Sequence, residues 1–478
     1  RIHNVITKSN TKPAYLSPRI VDNVLIDPLV KGLQNVGLPV PLVNKKFISI
    51  AANDVLGVLN NNVNPLHRTV LTYEQAIIGV ENDEFLAPIN RRSSPGYPWV
   101  LERNKIGKTQ WLGEFEYILD NPQLKSAVEN RINCARNNIR IPCLWIDTLK
   151  DERRPCEKVE QMKTRVFSAG SQDFVLATRQ YFLGFAAHIM TNRIENECAV
   201  GINPYSYDWT KLATHLLSHG TNIVAGDFSR YDTSLHASIL WTICDIINNW
   251  FNDENSQIRN ILFEEMVNSF HLCKNFVYQW THSQPSGNAL TVIINCLYNM
   301  IAFRFCWLFI FQNTKYFSLS NFRKYVSFIC YGDDNCAGIA DEVIGQFNQN
   351  SITEAMLEIG LTYTDEHKSS ICAPFRDLSS IDFLKRGFKF DEEYKFYASP
   401  LSKDVCYEMM NWIRSGFDPY DSTNENILNA ALELSAHGED VYNEFVISVK
   451  KATKHFKHPP ILPTYFEFSN FFLSQRLG

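Results

Sequence analysis

Apolar residues at helical spacing dominate the C-terminal part of the chain, whereas the middle alternates short apolar runs with longer helical patterns. The segments 427–434 and 441–455 repeat apolar residues every third or fourth position, which predicts amphipathic helices. The shorter runs in the middle are bounded by Gly, Asp and Asn, which is typical of strands and turns. The pattern therefore predicts an α+β body with a helical C-terminal cap.

The longest apolar segment, 290–311, approaches the length of a membrane-spanning helix. It carries Asn295, Asn299 and Arg304, however, and helices that face a bilayer seldom hold so many polar groups. We therefore predict a buried helix in the core and no transmembrane segment.

Two acidic residues interrupt an apolar stretch in SFICYGDDNCAGIA, residues 327–340. The runs on either side predict two strands of a hairpin, with Gly332, Asp333 and Asp334 at its tip. Two unit charges about 5 Å apart repel by roughly 3 kcal/mol at an effective dielectric constant near 20. A fold that keeps both carboxylates ionised beside a core needs a cation, so the tip is a candidate metal site.

Length and composition describe an ordinary globular protein. The 478 residues exceed a typical single domain and predict two or three subdomains. With 45% hydrophobic residues, 20% charged residues and a net charge of −5, the chain has no general basic surface. Any nucleic acid would therefore be held in local basic channels. The chain starts at Arg1 without a signal-like segment, which suggests a processed or trimmed protein.

The twelve cysteines contain no C-x-x-C pair, which argues against a zinc ribbon and favours reduced, mostly buried thiols in a cytosolic setting. His215 and His219 have helical i, i+4 spacing. Because Leu216 replaces the glutamate of the zincin motif and no third ligand is evident, we do not favour zinc there.

A second acidic pair, Asp227 and Asp232, lies in NIVAGDFSRYDTS, where Ile223 and Val224 predict a strand ending at Asp227. If that strand continued to Asp232, the two acids would be about 16 Å apart and could not share an ion. Asp227 could instead stand beside Asp333 across a sheet, since carboxylates from separate segments are the usual ligands of magnesium. Taken alone, Asp227 could equally be a helix N-cap.

The segment SQPSGNALTVIIN combines a Pro-Ser-Gly turn with the start of a helix. Thr291 and Asn295 lie one turn apart on that helix, so that they and Ser286 can direct hydroxyl and amide groups to one spot. Such groups suit recognition of a ribose. Helix capping with a hydrogen-bonded core asparagine is the alternative for the same residues.

The run KDERRPCEKVEQMKTR, residues 150–165, interleaves six basic residues with four acids. Arginine binds phosphate through two parallel hydrogen bonds and lysine acts as a point charge, so the run fits a triphosphate clamp. A solvated surface is the alternative. The run leads into VFSAG, which predicts a strand that would carry the basic residues into an interior cleft.

In order and spacing these segments resemble the viral RNA-dependent RNA polymerases of the picornavirus-like group, over nearly the whole chain. The residues that carry the resemblance are SSPGYPW (motif G), KDERRPCEKVEQMKTR (F), DFSRYD (A), SGNALTVIIN (B), YGDD (C), LTYTDEHKS (D) and FLKRGF (E). A single GDD motif would be weak evidence for this family, but seven motifs in the order that the family shows are specific evidence.

The resemblance implies an α+β, closed right-hand polymerase fold with fingers, a palm whose antiparallel sheet is flanked by helices, and a helical thumb. On the motif positions, the fingers would comprise 1–184 and 241–283, the palm 185–240 and 284–386, and the thumb 387–478.

The resemblance also implies roles for individual residues. Catalysis would use Asp227, Asp333 and Asp334 as ligands of two Mg²⁺ ions, which Mn²⁺ could replace, and Lys368 as the general acid. The nucleotide would be bound by Lys150, Lys158, Lys163, Arg165, Asp232, Ser286, Gly287, Thr291 and Asn295. RNA would be contacted by Ser93, Ser94, Gly96, Tyr97, Pro98, Phe383, Leu384, Lys385, Arg386, Lys450 and Lys454.

A basic helix face supports the last two assignments, since Lys450, Lys451, Lys454 and Lys457 share one face of what we predict to be the C-terminal helix. A merely solvated helix would show the same spacing.

The implied function is RNA synthesis from ribonucleoside triphosphates on a viral template, which would replicate a positive-strand genome. Implied partners are template and primer RNA, other viral replication proteins and a small genome-linked protein whose tyrosine is uridylylated. The setting would be membrane-associated replication complexes in the host cytoplasm. Two features depart from picornaviruses: Arg1 replaces their N-terminal glycine, and SGNALT lacks the second glycine of motif B. The motif variants suggest an insect virus, such as a dicistrovirus or an iflavirus.

Three alternatives are open at this level. A reverse transcriptase would share the palm and the paired aspartates but would usually place a bulky residue at Asp232. A metal-dependent nuclease could use the same carboxylates without a triphosphate clamp. An RNA-binding scaffold with structural acids would have no activity.

Overall fold

The structure is a computed structural model that describes residues 2–369 and 372–477. Helices and strands alternate along the chain, which confirms the predicted α+β class. The helices are α1 Pro28–Leu33, α2 Lys45–Leu59, α3 Tyr73–Ile78, α4 Trp99–Glu102, α5 Thr109–Leu112, α6 Pro122–Arg136, α7 Cys156–Glu160, α8 Gln172–Thr191, α9 Asp208–Leu216, α10 Ala237–Phe251, α11 Ser256–Val267, α12 Thr291–Ile310, α13 Leu319–Tyr325, α14 Asp341–Ile344, α15 Gln349–Leu357, α16 Lys403–Met409, α17 Pro419–Ser435, α18 Glu439–Thr453 and α19 Tyr465–Leu477.

The strands are short and fall into small sheets. They are β1 Thr11–Pro13, β2 Arg19–Val21, β3 Val24–Ile26, β4 Leu144–Leu149, β5 Arg153–Pro155, β6 Val166–Ala169, β7 Asn222–Ser229, β8 Phe270–Cys273, β9 Phe276–Gln279, β10 Val326–Tyr331, β11 Asp334–Ile339, β12 Thr362–Asp365, β13 Lys389–Asp391 and β14 Phe396–Ala398. The two four-stranded sheets have the orders β10-β11-β7-β12 and β6-β4-β8-β9.

The sheet β10-β11-β7-β12 is antiparallel throughout and holds the predicted acidic hairpin. Tyr331 pairs with Asp334 across the β10–β11 turn, as the sequence predicts. The prediction that β7 ends at Asp227 is wrong, because the strand continues to Ser229. Pairing with β12, in which Thr364 lies opposite Asp227, extends the strand. The strand does not reach Asp232, since Arg230 turns the chain with a φ of +59°.

Helix α12 confirms the predicted core helix. Within the described residues it is the one helix long and apolar enough to cross a membrane, and 89% of its apolar window is buried in the protein. Arg304, on this helix, is fully buried and bonds to Asp54 on α2 and to Glu197. The Arg304 guanidinium bonds to both carboxylate oxygens of Glu197, at 2.7 and 2.8 Å. The arginine therefore pins α12 to two other segments of the core.

The N-terminal segment links the two ends of the molecule. β1 pairs with β5, inside the basic run, while the side chains of Ser9 and Thr11 donate hydrogen bonds to Glu408 on α16. The C-terminal helices form their own apolar core, which also buries Ile2. The N-terminal segment thus connects the C-terminal helices with the basic run.

The thumb region differs in one respect from the sequence prediction. The basic helix is α18, which ends at Thr453, and α19 follows it, so the lysines do not lie on the C-terminal helix. Lys450 and Lys451 are in the last turn of α18, Lys454 caps it, and Lys457 lies beyond the helix end. The four side chains are exposed. A proline-rich segment, HPPILP, separates the two helices, and the lysine pattern alone gave no sign of that break.

The predicted domain limits remain predictions, although the limit between 184 and 185 falls within α8 and that between 240 and 241 within α10. The twelve cysteines are free thiols and most are buried, as expected. His215 bonds to the Phe328 carbonyl oxygen at 2.9 Å, which is a structural role for the ring.

We expect Arg304→Met to destabilise the protein by about 3–5 kcal/mol, because Asp54 and Glu197 would keep buried charges without their partner. Urea denaturation followed by tryptophan fluorescence measures the change. Arg323→Met is the matched control: this arginine also contacts Asp54, but its side chain is 48% exposed, so we expect about 1 kcal/mol or less. Equal midpoints for the two variants would contradict the assigned role of Arg304.

Candidate active site

The β10–β11 turn presents Asp333 and Asp334 to a cleft from the end of the antiparallel sheet. Gly332 and Asp333 form the two-residue connection, and Gly332 has a φ of +65°. A positive φ at the first position suits a tight hairpin turn, and glycine adopts it without steric cost. Asp333 is exposed to solvent and Asp334 is half-buried, so both carboxylates can take a ligand.

The site is strongly negative. Partial desolvation in the cleft raises the pKa of the Asp333 carboxyl to about 6, and the charges of Asp232 and Asp227 act in the same direction. Partial desolvation also raises the pKa of Asp334 to about 7, with further contributions from Asp333 and Asp227. The predicted repulsion between carboxylates is therefore present, and it involves acids from motifs A and C together.

Asp227 lies next to this turn on the neighbouring strand. Asn335 pairs with Gly226, so Asp334 and Asp227 follow at adjacent positions of the two strands. The Lys368 ammonium lies 2.9 Å from a carboxylate oxygen of Asp227, and the lysine side chain is 55% exposed. Lys368 has a φ of +56°, in the turn that follows β12. The predicted metal ligand and the predicted general acid therefore lie in direct contact.

Asp232 faces the same cleft from the short helical turn after β7. Partial desolvation raises its pKa, while a hydrogen bond from Asn295 and the charges of Arg165 and Lys150 lower it. The Gln284 amide donates to the Asn295 side-chain oxygen at 2.6 Å, which leaves the Asn295 NH₂ group to point at Asp232. The turn at Arg230 thus brings Asp232 and Asp227 to one cleft, whereas a strand continuing to Asp232 would have kept them about 16 Å apart.

The loop before α12 is built largely from its own hydrogen bonds. The Thr291 hydroxyl lies within 3.4 Å of the carbonyl oxygens of Pro285, Ser286 and Asn288, so it stabilises the loop. Gly287 packs against the backbone of Ser168 on β6, where a Cβ would lie 2.1 Å from the Ser168 carbonyl oxygen. Ser286 is half-buried at the edge of this loop.

The basic run borders the cleft, as predicted, and continues into β6. Arg165 bonds to Glu152, and the negative charges of Asp232 and Asp333 also contribute to raising its pKa. Lys150 lies 3.8 Å from Glu152. Lys163 is exposed and Lys158 is half-buried on α7. The charges of Arg165 and Lys150 thus act on Asp232, and the phosphate roles of all four basic residues stay predictions.

Motif G forms a turn that is anchored by its neighbours. Ser93, Ser94 and Pro98 are exposed and Tyr97 is half-buried. Gly96 is buried against the Gly170 backbone, where a Cβ would lie 2.1 Å from the carbonyl oxygen, so this residue holds the turn in place. Of the five residues predicted to contact RNA here, Ser93, Ser94 and Pro98 are the most exposed to solvent.

Motif E is a tight turn in which Phe383 and Arg386 pair with each other. Phe383 is buried against Trp209, and Arg386 bonds to both carboxylate oxygens of Glu433 on α17, at 2.7 and 2.8 Å. These two side chains therefore fix the turn. Leu384 and Lys385 are at its tip, and the Lys385 charge opposes the rise in the Asp334 pKa.

Sequence reasoning missed the residues that hold these groups. Gln284 orients Asn295, Glu433 orients Arg386, and the Tyr205 hydroxyl lies 3.2 Å from the Arg386 guanidinium. Gln284 lies in the quoted SQPSGN segment, so its position beside motif B was a usable signal. Glu433 is separated from Arg386 by 47 residues and gave no local signal.

Comparison with known families agrees with this geometry. The model of the family described as viral RNA-dependent RNA polymerase matches residues 4–454. The chain is 41% identical over 464 residues to the replicase polyprotein of Acute bee paralysis virus and 42% identical over 495 residues to that of Drosophila C virus. It is 42% identical over 468 residues to the replicase polyprotein of cricket paralysis virus.

These matches cover 94%, 98% and 93% of this chain, respectively, but 24%, 28% and 26% of the polyproteins, so the chain spans about a quarter of the length of the curated relatives. The resemblance to insect-virus proteins is confirmed.

A solved structure, the Sicinivirus 3Dpol RNA dependent RNA polymerase, has a TM-score of 0.82 and 20% sequence identity, over 99% of this chain and 94% of that chain. At this identity the likeness concerns the fold, and it confirms the right-hand polymerase fold. The family match extends over nearly all of the residues that build the cleft. The chain therefore belongs to the family of viral RNA-dependent RNA polymerases.

Proposed function

We propose that this chain synthesises RNA on a viral RNA template from ribonucleoside triphosphates, by nucleotidyl transfer assisted by two divalent metal ions. It would thereby replicate a positive-strand genome. The observation that carries the proposal is the convergence of Asp227, Asp232 and Asp333 in one cleft bordered by Arg165 and Lys150. A nuclease or a structural acid cluster has no need of this combination of carboxylates, ribose-reading groups and basic residues.

The carboxylate set fits hard cations such as Mg²⁺. The donors are oxygens and they come from separate segments of the chain. Partial desolvation raises the pKa of Asp333 and Asp334, and the neighbouring carboxylates add to this effect, so a bound cation would be favoured at both. Asp227 and Asp333 would hold the ions and Asp334 would support them. When bound, the ions would make the 3′-hydroxyl nucleophilic and stabilise the pyrophosphate leaving group. Mn²⁺ accepts the same oxygen ligands and should replace Mg²⁺.

The ribose would be recognised by Asp232 and Asn295. The Asp232 carboxylate accepts hydrogen bonds and the Asn295 NH₂ group donates them, so together they can bind the ribose hydroxyls. Ser286 is half-buried at the edge of the loop and could contribute a hydroxyl. Gln284 fixes the orientation of Asn295 before the nucleotide arrives, which reduces the entropic cost of binding.

The triphosphate would be bound by the basic run. Arg165 is 57% exposed and already lies in the field of Asp232 and Asp333, so its guanidinium can move from Glu152 to a phosphate group. Lys150, Lys158 and Lys163 would add positive charge. The template would pass over Ser93 and Ser94, and the primer would meet the tip of motif E at Lys385. Lys450 and Lys454 would contact the backbone of the product duplex.

Lys368 would be the general acid that protonates the pyrophosphate as it leaves. Its contact with Asp227 keeps the ammonium group within the cleft, and its exposed side chain can reach a phosphate group.

Initiation and setting rest on family resemblance and on the relatives' origin in replicase polyproteins. We propose that the chain is released by polyprotein cleavage and transfers uridylate to a tyrosine of a small genome-linked protein. It would then work with other viral replication proteins at membrane-associated complexes in the host cytoplasm. The free thiols agree with such a reducing compartment.

We expect Asp333→Asn to abolish extension of an RNA hairpin primer–template while RNA binding is retained, because the substitution removes a ligand charge and leaves the turn in place. Gel analysis of a labelled hairpin with the four ribonucleotides and Mg²⁺ measures extension, and filter binding measures affinity. Glu342→Gln, an exposed acid beyond the other end of β11, is the control and should extend normally. Shortening of the hairpin by the wild type would indicate a nuclease, and equal activity of both variants would contradict the proposal.

Asp232→Ala should weaken the preference for ribonucleotides over deoxyribonucleotides, because the acceptor for the ribose hydroxyls is lost. Losing a hydrogen bond to a charged group costs about 1.5–3 kcal/mol, which corresponds to a roughly 10- to 100-fold loss of discrimination. The measurement is the ratio of kcat/KM for matched ribo- and deoxynucleotides on one template. A ratio equal to that of the wild type would show that Asp232 does not read the ribose.

Lys368→Leu should lower the single-turnover rate by about 10²–10⁴-fold, the usual contribution of a general acid. Lys368→Arg separates this role from a structural one, since arginine keeps the charge beside Asp227 but does not release its proton. We expect the arginine variant to remain slow. Rapid-quench measurement of one nucleotide addition gives the rate, and full rescue by arginine would reduce Lys368 to an ion-pair partner.

A further inference from the structure

One face of α12 holds the backbone of the catalytic turn. The Asn299 amide donates to the Gly332 carbonyl oxygen at 3.2 Å and to the Asp333 carbonyl oxygen at 3.4 Å. The backbone N–H of Gly332 donates to the Cys296 sulfur at 3.1 Å. Cys296 thus binds the N–H of Gly332, and Asn299 binds the carbonyl oxygens of Gly332 and Asp333.

A second amide approaches the turn from β11. The Asn335 side chain donates to the Asp333 carbonyl oxygen at 3.4 Å and lies 3.5 Å from the Asn299 side-chain oxygen. The Tyr363 hydroxyl on β12 donates to the Asn335 side-chain oxygen at 2.6 Å. Tyr363 reaches this position because residue 226 is glycine: a Cβ there would lie 2.1 Å from the Tyr363 hydroxyl oxygen.

These groups are isolated from water. Asn299 and Asn335 are 0% and 1% exposed, and Tyr363 is 1% exposed. In such surroundings an amide that loses its partner has no water to replace it, so the arrangement tolerates only one position of the turn. The sequence showed Asn299 merely as a polar residue in an apolar helix.

We propose that Asn299 and Asn335 form a buried amide pair that positions Asp333, and that the metal affinity of the site depends on this pair. The inference rests on the proposed role of Asp333 as a metal ligand. Neither asparagine touches the cleft, so both are positioning residues. Outer groups that orient a metal ligand typically contribute 10- to 100-fold to metal affinity.

Asn299 and Asn295 lie on the same helix but contact different parts of the site. Asn295 lies one helical turn earlier and binds Asp232, whereas Asn299 binds the turn that carries Asp333. The two asparagines therefore serve different acids from the same helix. Loss of Asn299 should weaken metal binding and leave ribose discrimination unchanged.

The first experiment measures Mn²⁺ binding by water-proton relaxation in the full chain without nucleotide. The wild type is compared with Asn299→Leu, which has a similar volume and no amide, and Asp333→Asn defines the signal from this site. We expect Asn299→Leu to bind Mn²⁺ about 10- to 100-fold more weakly. RNA affinity and the ribose preference should equal those of the wild type.

Met300→Leu is the matched control, since it changes the adjacent buried residue of α12 with little change in volume, and its sulfur contacts Cys198 rather than the turn. It should bind Mn²⁺ as the wild type does.

If Asn299→Leu does not fold, Tyr363→Phe tests the inference instead, because it removes only the hydroxyl that donates to Asn335. We expect roughly two- to tenfold weaker Mn²⁺ binding for that variant.

Wild-type Mn²⁺ affinity in a folded Asn299→Leu would overturn the inference, as would wild-type affinity in Tyr363→Phe. Failure of the proposed function gives a different result. In that case the wild type binds Mn²⁺ through Asp333 but does not extend RNA, and the amide pair still sets the affinity.

Discussion

Repulsion between carboxylates is the constraint around which the active site is arranged. Asp333 and Asp334 follow each other at a hairpin tip, and the charges of Asp227 and Asp232 act on that tip from the neighbouring segment. Each acid that shares the cleft therefore raises the free energy of ionising the next. The fold keeps them together because the antiparallel sheet and the turn are fixed by pairing that does not involve the carboxylates.

The basic residues around the acids offset this repulsion only in part. Lys368 contacts Asp227 directly, whereas Lys385, Arg165 and Lys150 act on the other acids through the cleft. A fully paired set would leave no affinity for a cation or a triphosphate. Because Arg165 and Lys150 share Glu152 as a partner, they are held near the acids while remaining free to exchange partners. The basic residues thus offset part of the charge of the acids without pairing all of them.

Local pattern predicted the parts of the site that local pairing determines. The β10–β11 hairpin and α12 depend on neighbouring residues and on one long apolar run, and both were predicted correctly. The end of β7 was not, because its last residues pair with β12, more than a hundred residues away. Glu433, the partner of Arg386, was missed for the same reason, since it lies 47 residues away. Contacts between distant segments leave no periodic signal in the sequence.

Each motif contains residues that fix its backbone and residues that it presents to the cleft, and the structure is needed to tell which is which. In motif E, Phe383 and Arg386 are engaged by Trp209 and Glu433, and they fix the turn that exposes Lys385. Motif G uses Gly96 in the same way beneath its serines. On α12, Asn295 bonds to Asp232 while Asn299 bonds to the turn that carries Asp333. Each of these motifs therefore contains residues that face the cleft and residues that fix the position of the segment. The fixing residues contact other parts of the chain and so connect one motif with the next.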